Sequence, residues 1–261
     1  MSNTLVAPLN VKLMNLTASA LFLVFAVLAL YALAGWAARA PVFAIKSITV
    51  TGHVTHTNAL TLRANVASKL NGTFLTLDLE QVRQVFESVP WVRHAVVRRV
   101  FPDRIKVVLE EHQVVALWGA EGEYRLLNSF GEVFEANTGE VEQDDLPRLI
   151  GPDGQGTTVL AAYRAVQPLF EHLNLAVEQF EQTGSGGWRA LLDTGAVVEL
   201  GRGSVDEVVA RAQRFLGTLT QVTSKYGRKP DALASADLRH TDGYALKLHG
   251  VTTQLPDVKL K

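Results

Sequence analysis

The chain begins with a long apolar stretch and continues in shorter segments of alternating or helical periodicity. No residue between Ala18 and Ala38 is charged. A helix over these residues would be about 31 Å long, which matches the hydrocarbon core of a bilayer. Tyr31 and Trp36 lie toward one end, where aromatic rings favour the membrane interface, and Arg39 ends the run. The pattern predicts a transmembrane helix over residues 18–38.

A cleaved secretory signal peptide is the alternative for this segment. Signal peptides usually have an apolar region of about 7–15 residues behind a basic start, whereas Lys12 is the only basic side chain ahead of this run. Ala38-Arg39-Ala40 resembles a cleavage site, but Pro41 follows it directly and disfavours cleavage. We therefore expect a retained anchor with residues 1–17 on one side of the membrane. Basic residues on the two flanks are too evenly spread to decide the orientation.

Residues 43–111 predict a compact domain with helices on one face of a small sheet. Its β-branched and alternating segments predict strands, and its segments with apolar residues at helical spacing predict helices. We expect Trp91 to pack against the second helix. In chain order, the predicted elements are strand Phe43–Gly52, helices Thr57–Leu70 and Leu77–Val89, and strands Trp91–Val100 and Ile105–Leu109.

Residues 112–250 predict a second, β-rich domain with two helices. The helices are expected over Thr157–Leu173, where Pro168 should kink or divide the helix, and over Val205–Tyr226. Residues 251–261 are expected to form a disordered tail. The fold class is therefore α+β behind a single membrane helix. Short strands are predicted over Val114–Trp118, Tyr124–Asn128, Glu132–Glu135, Ala176–Gln182, Trp188–Asp193, Val197–Leu200, Ala232–Arg239 and Tyr244–His249.

The last predicted strand should leave one sheet edge exposed, because only the polar tail follows it. Alternation places Tyr244, Leu246 and Leu248 on one face. Lys247 is the only charged residue of this strand that would oppose pairing with another strand. Exposed edges accept added strands from partners. We interpret the following residues as a partner-binding edge: Asp237, Leu238, Arg239, His240, Thr241, Asp242, Gly243, Tyr244, Ala245, Leu246, Lys247 and Leu248.

Composition excludes some classes of function. The chain has 25 Lys and Arg against 26 Asp and Glu, so it carries no excess positive charge for nucleic acid. It has no cysteines, so it has no thiolate site. Arg98 and Arg99 are interpreted as a surface pair, with a docking face for a partner or membrane as the alternative.

Each candidate for chemistry is weaker than its structural alternative. The two histidines lack a third ligand nearby, the glycine-rich segments match neither a phosphate loop nor a nucleophile elbow, and the paired glutamates should point to opposite faces as solvated charges. We therefore predict no catalytic residue, no metal site, no cofactor and no small-molecule substrate. The rejected candidates are His53 with His56, Gly151–Gly156, Gly184–Gly187, and Glu110 with Glu111.

Several motifs resemble a known family. Pro90-Trp91-Val92, the strand Ala95–Val100 and the turn Phe101-Pro102-Asp103, at these spacings behind one anchor, resemble the POTRA domain of the FtsQ/DivIB family of bacterial cell-division proteins. The similarity continues over Glu111–Trp118 and Asp237–Leu246. Val114 and His240 depart from it, because family members usually carry Pro and Tyr at those two positions.

The resemblance implies a single-pass type II protein of the inner membrane with its bulk in the periplasm. It implies a POTRA domain over 43–111 and a second domain over 112–250. The protein would be a non-catalytic scaffold at the division septum that recruits FtsB and FtsL, with FtsB adding to the last strand. It would also link early to late division proteins, including FtsK, FtsW and FtsI.

Two other functions stay open at this point. A POTRA-bearing envelope translocation or outer-membrane assembly factor would continue into a series of barrel strands, which the two predicted helices interrupt. A membrane-tethered periplasmic enzyme would need a cleft with converging polar groups, and the sequence shows no such constellation.

Overall fold

The computed structural model describes residues 9–57, 62, 66, 72–123, 125–142, 146–240 and 243–252. The chain divides into two compact units, the first ending at Glu111 and the second beginning at His112. The predicted helix Thr57–Leu70 lies mostly outside the described residues, as do Thr241, Asp242 and most of the predicted tail.

The first unit begins with helix α1, Leu9–Ala38. It starts earlier than predicted because residues 9–17 contain neither proline nor glycine and continue the helix. The large apolar side chains along it are exposed, and the span Leu13–Ala38 has a mean hydropathy of 2.4. A helix that is apolar on every side has the length and composition of a membrane span.

Three strands of the first unit form a sheet in the order β1–β3–β2, with β1 at Ser47–His53, β2 at Val92–Val100 and β3 at Arg104–Glu111. β3 lies between a parallel β1 and an antiparallel β2. Alternate side chains of β3 are buried, as its sequence pattern predicts: Ile105, Val107 and Leu109.

Helical residues cover one face of this sheet. Helix α2, Leu79–Glu87, begins at Asp78, whose carboxylate accepts hydrogen bonds from the first free backbone N–H groups of the helix. Two buried residues with helical backbone lie in the stretch where the first helix is predicted. The side chains that form the core against the sheet include Leu62, Val66, Val82 and Phe86.

Two side chains of the first unit differ from prediction. Trp91 is buried, but it stacks on His56, with ring centroids 3.9 Å apart and planes 12° apart, and it lies outside the apolar cluster that contains α2. The predicted packing of Trp91 against α2 is therefore wrong. Glu111 is not solvated, because its carboxylate accepts hydrogen bonds from the backbone N–H groups of residues 55–57. Glu110 is exposed, as predicted.

The described strands of the second unit form one mixed sheet in the order β12–β11–β10–β9–β8–β7–β4–β5–β6. β7 was not predicted, because three residues carry too little alternation to be recognised. The strands are β4 Val114–Trp118, β5 Arg125–Asn128, β6 Val133–Phe134, β7 Arg148–Ile150, β8 Val177–Gln182, β9 Gly187–Leu192, β10 Val197–Arg202, β11 Leu233–Asp237 and β12 Ala245–Leu248.

Two helices share the apolar core of this sheet: α3, Gly156–Glu171, and α4, Val205–Lys225. Helix α3 is continuous through Pro168, so of the two expected effects, a kink or a division, this proline does not divide the helix. Pro168 lies close to the C-terminal end, where few backbone hydrogen bonds remain to be lost. Ser204 and Glu207 form a capping box that starts α4.

Candidate functional site

The predicted C-terminal edge is an edge in the structure. β12 pairs with β11 in an antiparallel register that sets Ala245 opposite Asp237 and Lys247 opposite Ser235. β12 stands at the end of the strand order, and no described strand pairs with its other side. One side of the β12 backbone therefore faces outward.

The backbone groups on the open side belong to alternate residues. The His249 N–H donates to Ala232 O at 2.8 Å, on the β11 side. Because antiparallel strands alternate their hydrogen-bonding direction, Ala245 and Lys247 also face β11, and Leu246 and Leu248 face outward. The Leu248 carbonyl accepts a 3.4 Å bond from the Val251 N–H. The N–H and C=O of Leu246 and the N–H of Leu248 thus point to the open side.

The side chains of this strand alternate as its sequence predicts. Ala245, Lys247 and His249 are exposed, while Leu246 is half-buried and Leu248 is buried.

Tyr244 fixes the start of β12 on helix α4. Its ring meets Phe215 edge-on, with centroids 5.0 Å apart, and its hydroxyl lies 2.6 Å from the Thr218 hydroxyl. An aromatic contact combined with a hydrogen bond holds this residue more firmly than either interaction would separately. The edge strand is therefore supported from α4 as well as from β11.

An exposed arginine lies beside the edge. Arg239 Nε donates to Asp237 Oδ1 at 2.9 Å, and its Nη2 donates to Asp237 Oδ2 at 2.5 Å. These hydrogen bonds lower the pKa of Asp237 to about 2. The Arg239 side chain is still 62% exposed, so its guanidinium can contact a partner carboxylate.

Arg239 also borders a groove of about 530 Å³ that is rich in arginine. Gly201, with φ +81°, lies beneath Arg211 and Arg239, and a side chain at this position would collide with Arg211. Glu199 faces the groove but is paired with Arg189, whose Nε donates to it at 2.7 Å. Four arginines and one glutamate line the groove, and Arg189 and Arg239 also pair with Glu181 and Asp237, so Arg202 and Arg211 are its arginines without a carboxylate partner among the ion pairs of the described residues.

Two family models match the chain. The model of the FtsQ-type POTRA domain matches residues 43–112, and the model of the C-terminal domain of the cell division protein FtsQ/DivIB matches residues 116–239. The chain belongs to the FtsQ/DivIB family of cell division proteins. This family membership and the fold class agree with what the sequence motifs predicted.

Relatives in the FtsQ/DivIB family are similar over most of the chain. The cell division protein FtsQ of Burkholderia pseudomallei is 37% identical over 243 residues, which are 93% of this chain and 94% of the relative. The protein of the same name from Bordetella pertussis is 33% identical and covers 92% of both chains. That from Vibrio cholerae is 32% identical over 83% of this chain and 80% of the relative.

Within this FtsQ/DivIB chain, the predicted edge residues fall into separate places. Leu238, which directly follows β11, is buried in the apolar core, and its N–H donates to Glu199 O of β10 at 2.8 Å. His240 and Gly243 are exposed in the connection to β12. The match to the C-terminal family model ends at residue 239, so the use of β12 as a partner site stays a prediction.

The paired arginines of the FtsQ-type POTRA domain do not act as one surface. Adjacent residues of a strand point to opposite faces, and Arg99 Nε donates to Phe74 O at 2.7 Å on the helical side. Its Nη2 donates to Leu77 O. Arg98 lies on the other face of β2, and both arginines are exposed. Arg99 thus holds the turn before α2, and a docking role for Arg98 stays a prediction.

The structure adds residues that sequence reasoning missed. Thr218 and Arg211 lie on α4, far in sequence from the edge, yet one supports Tyr244 and the other lines the arginine-rich groove. The α4 periodicity predicted that Phe215 is buried but carried no signal that it faces β12. A contact of this kind depends on how α4 lies across the sheet.

Proposed function

We propose that this membrane-anchored protein is a non-catalytic scaffold of the bacterial division machinery that recruits FtsB and FtsL through the edge of β12. The observation that carries the proposal is the open backbone side of β12 in a chain of a cell-division family. Strand addition takes its affinity from main-chain hydrogen bonds and its specificity from alternate side chains.

We also propose where the protein lies in the cell and how its chain is divided into segments and domains. Residues 1–17 form a cytoplasmic tail, residues 18–38 span the inner membrane, and the POTRA domain (43–111) and β domain (112–250) lie in the periplasm at the septum. From there the protein contacts FtsK, FtsW and FtsI and links early to late division proteins. Family membership and the apolar helix α1 support this arrangement.

Backbone pairing by itself gives weak binding at this edge. Three outward backbone groups at about 0.5–1.5 kcal/mol each supply less than the roughly 8 kcal/mol of a micromolar complex. Burial of apolar partner side chains against the edge must therefore contribute. Arg239 and the arginine-rich groove add a charge-assisted contact to an acidic partner residue.

Replacing Leu246 by proline should weaken FtsB binding at least about tenfold, because it removes an outward donor and leaves a partner carbonyl unpaired. β12 is an edge strand, so the ring on its open side is compatible with the fold. Binding of the purified full-length chain to FtsB, measured by titration, tests this. Leu246→Ala is the matched control, because it shortens the same side chain but keeps the N–H.

Proline at Lys247 should behave differently from proline at Leu246. The Lys247 N–H faces β11, so its removal should lower the melting temperature of the second unit. If Leu246→Pro folds and binds FtsB as tightly as the unmodified chain does, the partner site lies elsewhere on the molecule.

The proposed orientation has its own test. A reporter that is active only in the periplasm should be active when it is fused after Lys261, and the mature chain should keep Met1 or Ser2 at its start. Cleavage that leaves Ala40 or Pro41 at the N-terminus would show that residues 18–38 are a removed signal and not an anchor.

A further inference from the structure

Three exposed apolar side chains lie on segments that are linked to the end of helix α1. Val42 is 77% exposed, Leu75 is 49% exposed and Phe101 is 83% exposed. They come from three separate segments: the turn after α1, the turn before α2 and the β2–β3 turn. Single exposed apolar residues are ordinary, but exposed apolar residues from separate segments that lie together can form a patch, and large patches occur at protein and membrane interaction sites. We call these three residues the apolar lip.

Hydrogen bonds tie the apolar lip to the end of α1. Thr73 Oγ1 donates to the carbonyl of Ala38, the last residue of α1, at 2.8 Å. The Phe74 N–H donates to Phe43 O at 2.8 Å. These bonds keep the segment that carries Leu75 level with the point where the helix leaves the bilayer. The polar region of a bilayer extends roughly 5–8 Å beyond its hydrocarbon core, which is enough to contain this segment.

The β2–β3 turn is held at the same level. The Lys46 N–H donates to Asp103 O at 3.0 Å, and Lys46 Nζ lies 2.6 Å from Asp103 Oδ2. The Phe101 ring meets the Phe74 ring edge-on, with centroids 6.3 Å apart. Phe101 therefore lies beside the segment that carries Leu75.

The turn before α2 is built to present Leu75. Gly72 has φ +130°, and a side chain there would crowd the Leu77 backbone. Arg99 then holds the two carbonyls that flank the turn, those of Phe74 and Leu77. Phe74 and Leu77 are buried while Leu75 between them is exposed, so the turn directs one apolar side chain outward.

The charge around the apolar lip suits a lipid surface. Arg39 and Arg104 are exposed, and Asp103 is paired with Lys46. Basic side chains next to exposed apolar ones favour the headgroup region of a bilayer with anionic lipids.

We propose that the apolar lip is a second membrane contact, through which the POTRA domain rests on the interface of the bilayer that α1 spans. Val42, Leu75 and Phe101 enter the headgroup region, and the nearby basic side chains meet anionic headgroups. The contact restricts the domain's rotation about the short connection after Ala38. The POTRA domain is thereby held in one orientation above the membrane.

Depth-dependent quenching in the full-length chain tests this contact. The sequence has no cysteine, so Leu75→Cys, Phe101→Cys and Ser88→Cys each give one labelling site. Ser88 is exposed and lies next to the start of β2. β2 is about 26 Å long, and Val100 lies at its other end. Each chain carries a nitrobenzoxadiazole label and is placed in nanodiscs of phosphatidylethanolamine and phosphatidylglycerol that contain lipid with a nitroxide near the headgroup.

Quenching at positions 75 and 101 should exceed that at position 88 by about fivefold. Phe101→Asp, combined with the label at position 75, should at least halve the quenching while lowering the melting temperature only slightly, because Phe101 is 83% exposed and loses one edge-on contact with Phe74. Equal quenching at all three sites, or quenching at none, would overturn the proposal. Undiminished quenching at position 75 in the Phe101→Asp chain would do the same.

Discussion

Replacing Phe180 by alanine should lower the free energy of unfolding of the second unit by about 3–5 kcal/mol. Phe180 is fully buried in β8, with its ring centroid 6.1 Å from that of Tyr163 and 5.4 Å from that of Trp188. Removing the ring loses apolar burial and leaves a cavity between the sheet and α3, where close packing limits collapse. The loss is a large part of the roughly 5–15 kcal/mol that stabilises a domain.

Urea unfolding of the fragment that starts at Phe43, followed by tryptophan fluorescence, measures this loss. Trp188 adjoins the altered site and reports on the second unit. Phe130→Ala is the matched control, because Phe130 is in the same unit but 53% exposed, and its replacement should change stability by less than about 1 kcal/mol. Equal unfolding midpoints for the two variants would contradict the placement of Phe180 in the core.

The Phe180 variant also separates stability from partner binding. Three strands lie between β8 and β12 in the sheet order, so the open edge is not altered directly. Below its unfolding transition, Phe180→Ala should bind FtsB with nearly unchanged affinity. Leu246→Pro should show the reverse pattern, with weakened binding in a folded chain.

Replacing Glu111 by glutamine should destabilise the first unit by about 2–4 kcal/mol. The Glu111 side chain is 7% exposed. Its Oε2 accepts from the Thr55 N–H at 2.7 Å and the His56 N–H at 3.2 Å, and its Oε1 accepts from the Thr57 N–H at 2.7 Å. An amide has only one acceptor oxygen, so its NH₂ group would face one of these donors and leave it unpaired.

The contribution of Glu111 should also depend on pH. Burial raises the pKa of its carboxyl, but the hydrogen bonds from residues 55–57 outweigh burial and lower that pKa below the ordinary value of 4.5. The native state therefore binds fewer protons than the unfolded state between these two values. The stabilisation is complete above about pH 4.5 and is lost as pH falls through the folded-state pKa.

Glu110→Gln is the control for this prediction. Glu110 neighbours Glu111, but its side chain is 53% exposed and forms a surface ion pair with Arg93 at 2.9 Å. Its replacement should change stability by less than about 1 kcal/mol. The stability difference between the unmodified chain and Glu111→Gln, measured by urea unfolding from pH 7 to pH 3, should shrink in acid. A difference that stays constant over this range would contradict a buried carboxylate at position 111.

Elements with a strong local pattern were predicted well from the sequence. α1 followed from an uncharged apolar run, β3 from the alternation of Ile105, Val107 and Leu109, and α4 from apolar residues at helical spacing. The alternation of β12 likewise predicted which of its side chains are exposed. In each case neighbouring residues carry the signal, and burial of one face selects the element.

Features that depend on distant partners could not be predicted in this way. The strand β7 has only three residues and is a strand because β4 and β8 pair with it on either side. The ring of Trp91 stacks on His56, not on α2. The two residues are too far apart in sequence for a local pattern to predict this contact.

The sequence by itself determined the long apolar helix α1, most elements, the α+β class and, through its motifs, the FtsQ/DivIB family. Only the tertiary structure decided that Glu111 is buried and Glu110 solvated, that Arg99 holds a turn and Arg98 does not, and that Leu246 offers its backbone outward. The physical reason is that hydrophobic periodicity reports which face of an element is buried. Hydrogen bonds between residues that are distant in sequence form only when the fold brings their segments together.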